Sequence, residues 1–561
     1  MEEMDKRTLI GLVLIALIII LMPYYQRWAV GTMEKVSGGG DTTAISQPAK
    51  ITQTPTDSAR ATITAPETTA VPDSAAPDTT RIKPKKIYVH TDKYDAVLTN
   101  IGGDIISLKL SGMYDAAGRR VDMFPRPLGG PNFEIVLTKG NRIFSTAAVP
   151  FVADKDSIVL DEDNPRDAVT FVGTLPDGSK IQRRYEFENG TYEIVHKVMI
   201  VSADSAQNFD DGIFWFKSGL VPTQGNIRWD IQEFAAYYRM GEDVDKIKPS
   251  KRHPTVAVDG AADWMGITSK YFVDILLPDK LLSANGVRAN TVWYQDSAGK
   301  SLPLVQAGLY YRIAANIFSA SQTIYAGPRD YFILKKFGRK LDKLINLGWW
   351  WLAPITKIML VLFKLIHKVV PNYGLVIIIF TLLMKIVLLP TAHKQMINMK
   401  KMHQIQPELK SIQERYRDDP QKMNAELMKL YRKYGMSPFS GCLPMVVQMP
   451  IFFALYRALS AGFQFRAQSF LWIKDLAQQD PYYILPIIMA ITMFIQQKIS
   501  TTDPKQQSMV YIMPLLFLFF FYKLPAGLVL YWTVFNILSI FHMLWVEHKW
   551  VAQPIEAKGE K

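Results

Sequence analysis

The chain has one cysteine, Cys442, so no disulfide can form within it. Its eight histidines include no pair at i, i+3 or i+4 spacing, and no His/Cys cluster has the spacing of a zinc site. There is no GxxxxGK[ST] phosphate loop and no GxSxG nucleophile elbow, which argues against an ATP-driven pump and an esterase-type hydrolase. Residues 37–80 lack aromatic residues altogether, and no acidic residue sits deep in any long apolar run. What is present is unevenly spread. Apolar residues make up 49% of the 561 positions, but the long runs lie at the extreme N-terminus and throughout roughly 349–546. The formal charge is +13, much of it beside those runs, a balance that favours an anionic membrane surface over nucleic acid.

The run at 9–22 is preceded by Lys6 and Arg7 and followed by Tyr24, Tyr25 and Trp28 rather than by small residues. Aromatic flanks suit a membrane–water interface, so residues 1–28 read as an uncleaved anchor with its N-terminus in the cytoplasm. The Thr/Pro/Ala-rich stretch after it has too little apolar surface to offset its ordering entropy and reads as a disordered linker over 29–84. From 85 the pattern changes to alternation punctuated by turns: AVLTNIGGDIISLKL around a Gly-Gly, LPDGSK with Asp-Gly, and FENGTYEIVHKVMIV with Asn-Gly. Turns at this density predict an all-β sandwich over 85–335, and no catalytic constellation is evident in it.

The stretch WWWLAPITKIMLVLFKLIHKVV places Lys357, Lys364 and Lys368 on one helical face, which predicts an amphipathic helix lying in the interface within 336–371. Five spans are expected after it, at about 373–391, 443–461, 482–498, 508–523 and 526–546, making six with the anchor. Two look short. Fourteen apolar residues rise about 21 Å against a hydrocarbon core of roughly 30 Å, met either by local thinning of the bilayer or by polar flanks that extend the span. Residues 392–437 carry ten Lys/Arg against two in 462–481, which places both termini in the cytoplasm and residues 29–371 outside it. The domains are then a five-span core at 372–547, containing a cytoplasmic helical hairpin at 394–435, and a short tail at 548–561. Met399, Met402, Met423 and Leu427 give the hairpin a methionine-rich face suited to varied apolar cargo, or simply to zipping its arms together. Asp419-Pro420 supplies the cap and first turn of the second arm.

Lys385 interrupts the span IIIFTLLMKIVLLPT five residues before Pro390. A charge inside a span costs roughly 2.5–3.5 kcal/mol on insertion scales, so it points to function unless the lysine stem snorkels to the cytoplasmic surface. Thr381 shares its face; Gln448 and Gln497 lie in neighbouring spans; Trp532, Asn536 and Ser539 recur at intervals of four and three in the last. Converging, these faces line a wet cavity open to the cytoplasm; separately, the amides are interhelical glue.

The stretches GCLPMVVQMPIFFALYRAL (441–459), WIKDLAQQDPYYILPIIMAITMF (472–494) and LPAGLVLYWTVFNILSI (524–540) resemble the YidC membrane protein insertases, relatives of the mitochondrial oxidase-assembly and chloroplast thylakoid insertases. The resemblance implies a non-enzymatic catalyst of transfer that inserts newly made membrane proteins into the bacterial inner membrane, alone or beside the Sec translocon. It also implies a hydrophilic groove whose positive residue attracts the acidic part of a substrate, a role that falls on Lys385. Thr381 and Trp532 fall where family members contact substrate, and the hairpin where cargo first docks. The partners implied are nascent membrane proteins, the Sec translocon and the bilayer, with no cofactor, metal, nucleotide or specific nucleic acid. The family commonly has arginine where this chain has lysine, and the short tail VEHKWVAQPIEAKGEK leaves any ribosome contact to the hairpin and inner loops. An ion-coupled transporter or channel is the alternative, but it requires paired intramembrane acids or inverted repeats, and neither is seen.

Overall fold

A computed structural model describes residues 83–204, 208–279, 283–313, 315–434, 443–500 and 507–549. The expected anchor and most of the linker, and all but the first two residues of the tail, lie outside the described residues. Residues 86–328 form two sheets that share one apolar core. A five-stranded sheet contains Lys86–His90, Tyr94–Thr99 and Asp104–Tyr114 in antiparallel register, with Ser157–Val159 added parallel at one edge. The second sheet has fourteen strands, all paired antiparallel. The turns expected from sequence are where the chain reverses. Arg166–Thr174, Lys180–Glu188 and Glu193–Val201 are successive antiparallel neighbours joined through Asp177-Gly178 and Asn189-Gly190. Alternate residues of Lys180–Glu188 are buried, as a half-covered strand requires, whereas Phe272–Pro278 is buried throughout and has both faces covered.

Gly102 and Gly103 both have positive φ, 79° and 55°, and their carbonyls carry the polar contacts between sheets. Arg183, fully buried, donates to Gly102 O at 2.5 Å and Phe133 O at 3.2 Å, and its Nε meets His196 Nε2 at 3.3 Å. Tyr185 donates to Gly103 O at 2.8 Å, and the Asp104 carboxylate accepts from the backbone N–H groups of Asn132 and Phe133, each at 2.8 Å. Burial, followed by the nearby Arg183 charge, holds the His196 imidazole well below its usual range; burial raises the Asp104 carboxyl to about 6.

A short helix α1 (Ile227–Ile231) lies within this domain and α2 (Tyr331–Lys336) closes it. The remaining helices are α3 (Ala353–His367), α4 (Tyr373–Gln404), α5 (Gln406–Arg415), α6 (Pro420–Lys433), α7 (Leu443–Ala461), α8 (Ile484–Ser500), α9 (Gln507–Phe521) and α10 (Ala526–Lys549). Two of the described helices, α4 and α10, are long and apolar enough to cross a membrane by themselves; α8 and α9 are shorter apolar helices. All four expose rows of large apolar side chains, among them Val387, Ile491, Leu515 and Phe541, each more than half exposed, a surface suited to lipid.

Three features go beyond the sequence reading. The helix of the 373–391 span does not stop there: α4 runs on through Pro390 to Gln404, and the break comes at Ile405, where Pro407 opens α5. The first hairpin arm is therefore the end of α4 plus α5. The lysines of α3 also have specific neighbours besides solvent, because Lys364 Nζ lies 4.1 Å from the Phe332 ring centroid and Lys357 lies 3.9 Å from Asp342. Away from the lysine stripe Met359 and Phe363 are buried, with Leu360 at its border. Finally, the loop 462–483, which carried little signal, is a clamp. Arg466 donates to Tyr114 O in the β domain, and the Phe463 ring packs edge-on against Tyr271 and Phe272. The same loop holds α10 through Ala526 N to Gln478 O at 2.6 Å and Gly527 N to Leu476 O at 2.9 Å. It also seats Phe470 on Gly374 of α4, where a Cβ would stand only 2.1 Å from the ring.

Candidate functional site

Lys385 sits on the buried face of α4 with Val376, Ile377, Phe380 and Thr381, and is 6% exposed. Its ammonium donates to Ser539 Oγ on α10 at 2.7 Å and lies 4.6 Å from the centroid of the Phe535 ring, one helical turn away. Ser539 in turn donates to Phe535 O at 2.7 Å, so its oxygen is free to accept from the lysine. No carboxylate stands within 4 Å of Lys385 among the described residues. The cation is thus held by one neutral hydroxyl and an aromatic face, a weak set of partners for a charge taken out of water.

The other sequence-predicted residues divide. Asn536 Nδ2 lies 3.5 Å from Thr492 Oγ1 on α8, and Gln448 Nε2 donates to the buried Tyr531 hydroxyl at 3.0 Å, so both work as interhelical ties. Thr381 spends its hydroxyl on Ile377 O at 2.7 Å within its own helix. Trp532 packs among Phe452, Phe517 and Phe521, with ring centroids 5.4, 6.0 and 5.6 Å away. Gln497 makes no side-chain hydrogen bond among the described residues. Lys385 and Ser539 are therefore the two that the fold brings together.

Sequence reasoning missed Phe535, Thr492, Tyr531 and His542. His542 was findable, because it continues the row 532–536–539 by one more step of three. Its ring stacks on His393 of α4 at 5.7 Å, and both its nitrogens are buried without a partner among the described residues. Phe535 and Tyr531 are apolar-looking positions whose roles depend on which helix faces them, and nothing in a single sequence tells that. Toward the ends of the same helices Lys400 and Glu547 pair at 3.1 Å.

In the hairpin, Asp419 caps α6 by accepting from Lys422 N at 3.0 Å, as its sequence predicts. The zipper is built on buried Ile405 and Leu430, joined by Met402, Leu409, Ile412, Tyr431 and Tyr434. Met402 is thus spent within the hairpin. Met399, Met423 and Leu427 are half-buried and stand outside that cluster, and Met428 is exposed. Among the described residues no three His, Cys, Asp or Glu side chains gather as a metal site.

Two family models match the chain: residues 86–362 match the YidC periplasmic domain, and residues 365–553 match the 60Kd inner membrane protein. A protein of Syntrophus aciditrophicus named Membrane protein insertase YidC is 32% identical over 560 residues, covering 96% of this chain and 98% of its own. Its namesake in Geobacter metallireducens is 32% identical over 471 residues, covering 82% of this chain and 85% of its own. A solved structure described as an active YidC insertase with the first transmembrane domain resolved is 19% identical, covers 83% of this chain and 93% of that one, and has a TM-score of 0.37.

Proposed function

The chain belongs to the YidC membrane protein insertase family, and on that premise we propose that it inserts and helps fold newly made proteins in the bacterial inner membrane without bond-breaking chemistry. The observation that carries the mechanism is the buried Lys385 cation with a single neutral polar partner, Ser539, between two helices of spanning length. An acidic extracellular segment of a substrate exchanges its carboxylate for the Ser539 hydroxyl. Two opposite charges 4 Å apart attract by about 4 kcal/mol at a protein-like dielectric, more than insertion scales charge for the buried lysine itself. The substrate's apolar segment then leaves sideways into lipid, and its own partitioning supplies the drive.

In this reading Lys385, Ser539, Asn536, Gln448, Thr381, Gln497 and Trp532 line the path, which opens to the cytoplasm. The hairpin offers Met399, Met423 and Leu427 to arriving apolar segments. The anchor and α4, α7, α8, α9 and α10 make six spans, with both termini in the cytoplasm and the β domain on the opposite side. Nascent membrane proteins and the bilayer are the partners, with the Sec translocon and the ribosome as further ones. Photo-crosslinkers at 381 and 532, with Lys385 kept, are expected to capture a nascent single-span substrate as its acidic segment passes. Capture from the β-domain surface, with none from these two positions, would overturn the path.

A further inference from the structure

A cavity of about 390 Å³ lies between α1 of the β domain and the clamp loop 462–483. Three cations line it, Arg228, Lys270 and Lys300, and none has a carboxylate within 4 Å among the described residues. Asp230, Asp475 and Glu233 lie near enough to act on Lys270 electrostatically, but their oxygens are engaged elsewhere, Glu233 with Arg329. Asp230 accepts from the backbone N–H groups of Thr223, Gln224 and Lys270, and Asp475 accepts from Ala477 N and Gln478 Nε2. Lys270 is half-buried, its ammonium 5.1 Å from the Trp229 ring centroid and 4.9 Å from that of Tyr271. Cations without a carboxylate partner converging on a half-open cavity make an anion site.

The volume and the remaining polar groups narrow the ligand. A bare ion would leave most of the space to water, at about 30 Å³ each. Gln478 commits its amide nitrogen to Asp475, so its carbonyl oxygen, which lies over Gly225, is left as an acceptor and suits a hydroxyl group. We propose that this cavity binds a phosphate ester carrying a hydroxylated arm, the chemistry of glycerol phosphate. Two sources present that group: a soluble glycerophosphate and the headgroup of an anionic glycerophospholipid. Its place in the chain suits the second. Gln478 and Gln479 precede α8 by only a few residues, with the exposed Tyr482 and Tyr483 between them. Tyrosines there mark the headgroup layer.

The test is calorimetric titration of the full-length protein in a neutral detergent with short-chain phosphatidylglycerol, short-chain phosphatidylcholine and sn-glycerol 3-phosphate. Arg228 and Lys300 are exposed, so R228Q/K300Q leaves the fold intact. Saturable binding of phosphatidylglycerol and not phosphatidylcholine is expected, weakened roughly tenfold or more in R228Q/K300Q by the loss of two charge-assisted contacts. If glycerol 3-phosphate binds as tightly as the lipid and is lost in the same variant, the cavity takes the soluble ester. Equal binding of phosphatidylcholine, undiminished binding in R228Q/K300Q, or no binding of either phosphate ester overturns the proposal.

Discussion

Two buried cations, one in each half of the molecule, are treated in opposite ways. Arg183 in the β domain reaches two carbonyl oxygens and an imidazole, and rings flank it at 5.2 and 5.5 Å. Lys385 in the helical region has one hydroxyl and one ring. Burial is nearly complete in both cases, so the difference lies in satisfaction. A saturated cation has nothing left to offer and fixes the packing of two sheets; an under-satisfied one keeps affinity for an anion that is not part of the fold. Asp274 shows the third solution open to a buried charged group. Neither of its oxygens has a partner among the described residues, and burial raises its carboxyl well above the usual range, which favours the uncharged form.

The comparison breaks most visibly at Lys385. Lys385→Glu turns an attraction of about 4 kcal/mol into repulsion, so reconstituted vesicles are expected to stop inserting substrates with acidic extracellular segments, while Lys385→Arg retains insertion. Equal insertion by Lys385→Glu would remove the charge from the mechanism. Next comes Arg183→Met, which leaves three buried acceptors unpaired at about 1–3 kcal/mol each and should lower the unfolding midpoint steeply. The same substitution should leave crosslinking from residue 381 unchanged below that midpoint.

A smaller effect is expected from pH. The unfolded imidazole of residue 196 takes up a proton below about pH 6.5 that the folded one refuses, so stability falls by about 1.4 kcal/mol per unit of acidification. Asp104 acts with the opposite sign between about pH 4 and 6, because the folded carboxyl keeps a proton that the unfolded chain has released. The two slopes offset one another there, and Asp104→Asn should expose the full histidine slope in near-ultraviolet circular dichroism melts. A flat profile in Asp104→Asn would mean that His196 takes a proton in the folded domain. The smallest effect is Ser539→Ala, which removes one hydrogen bond worth about 1–2 kcal/mol; with Lys385 kept, substrate crosslinking from residue 381 should rise because the hydroxyl that competes for the ammonium is gone.

Much of this was readable from residues that act locally. Gly102-Gly103, Asp177-Gly178, Asn189-Gly190 and Asp419-Pro420 impose their turns and cap wherever they occur. Lys385 and Ser539 were both marked by being polar in apolar surroundings. The parts that escaped depend on what lies across a helix interface. The span bounded at 391 is carried on through Pro390 by a helix of 32 residues. Phe535 looks like ordinary apolar filling, yet it faces the cation, and the aromatic cluster around Trp532 draws on three separate helices. The clamp loop had no periodicity to find, because the bonds that make it a clamp run to distant segments.

One of those bonds bears on how the protein is made. Arg466 and its acceptor, the Tyr114 carbonyl, are separated by 352 residues. At roughly 5–20 residues per second, a ribosome needs on the order of 20–70 s to supply the second after the first. For that interval the sandwich has to persist without its seat, dependent on its own sheets and on the Arg183 network between them. The clamp can therefore close only late in synthesis, well after the last strand of the sandwich has been made.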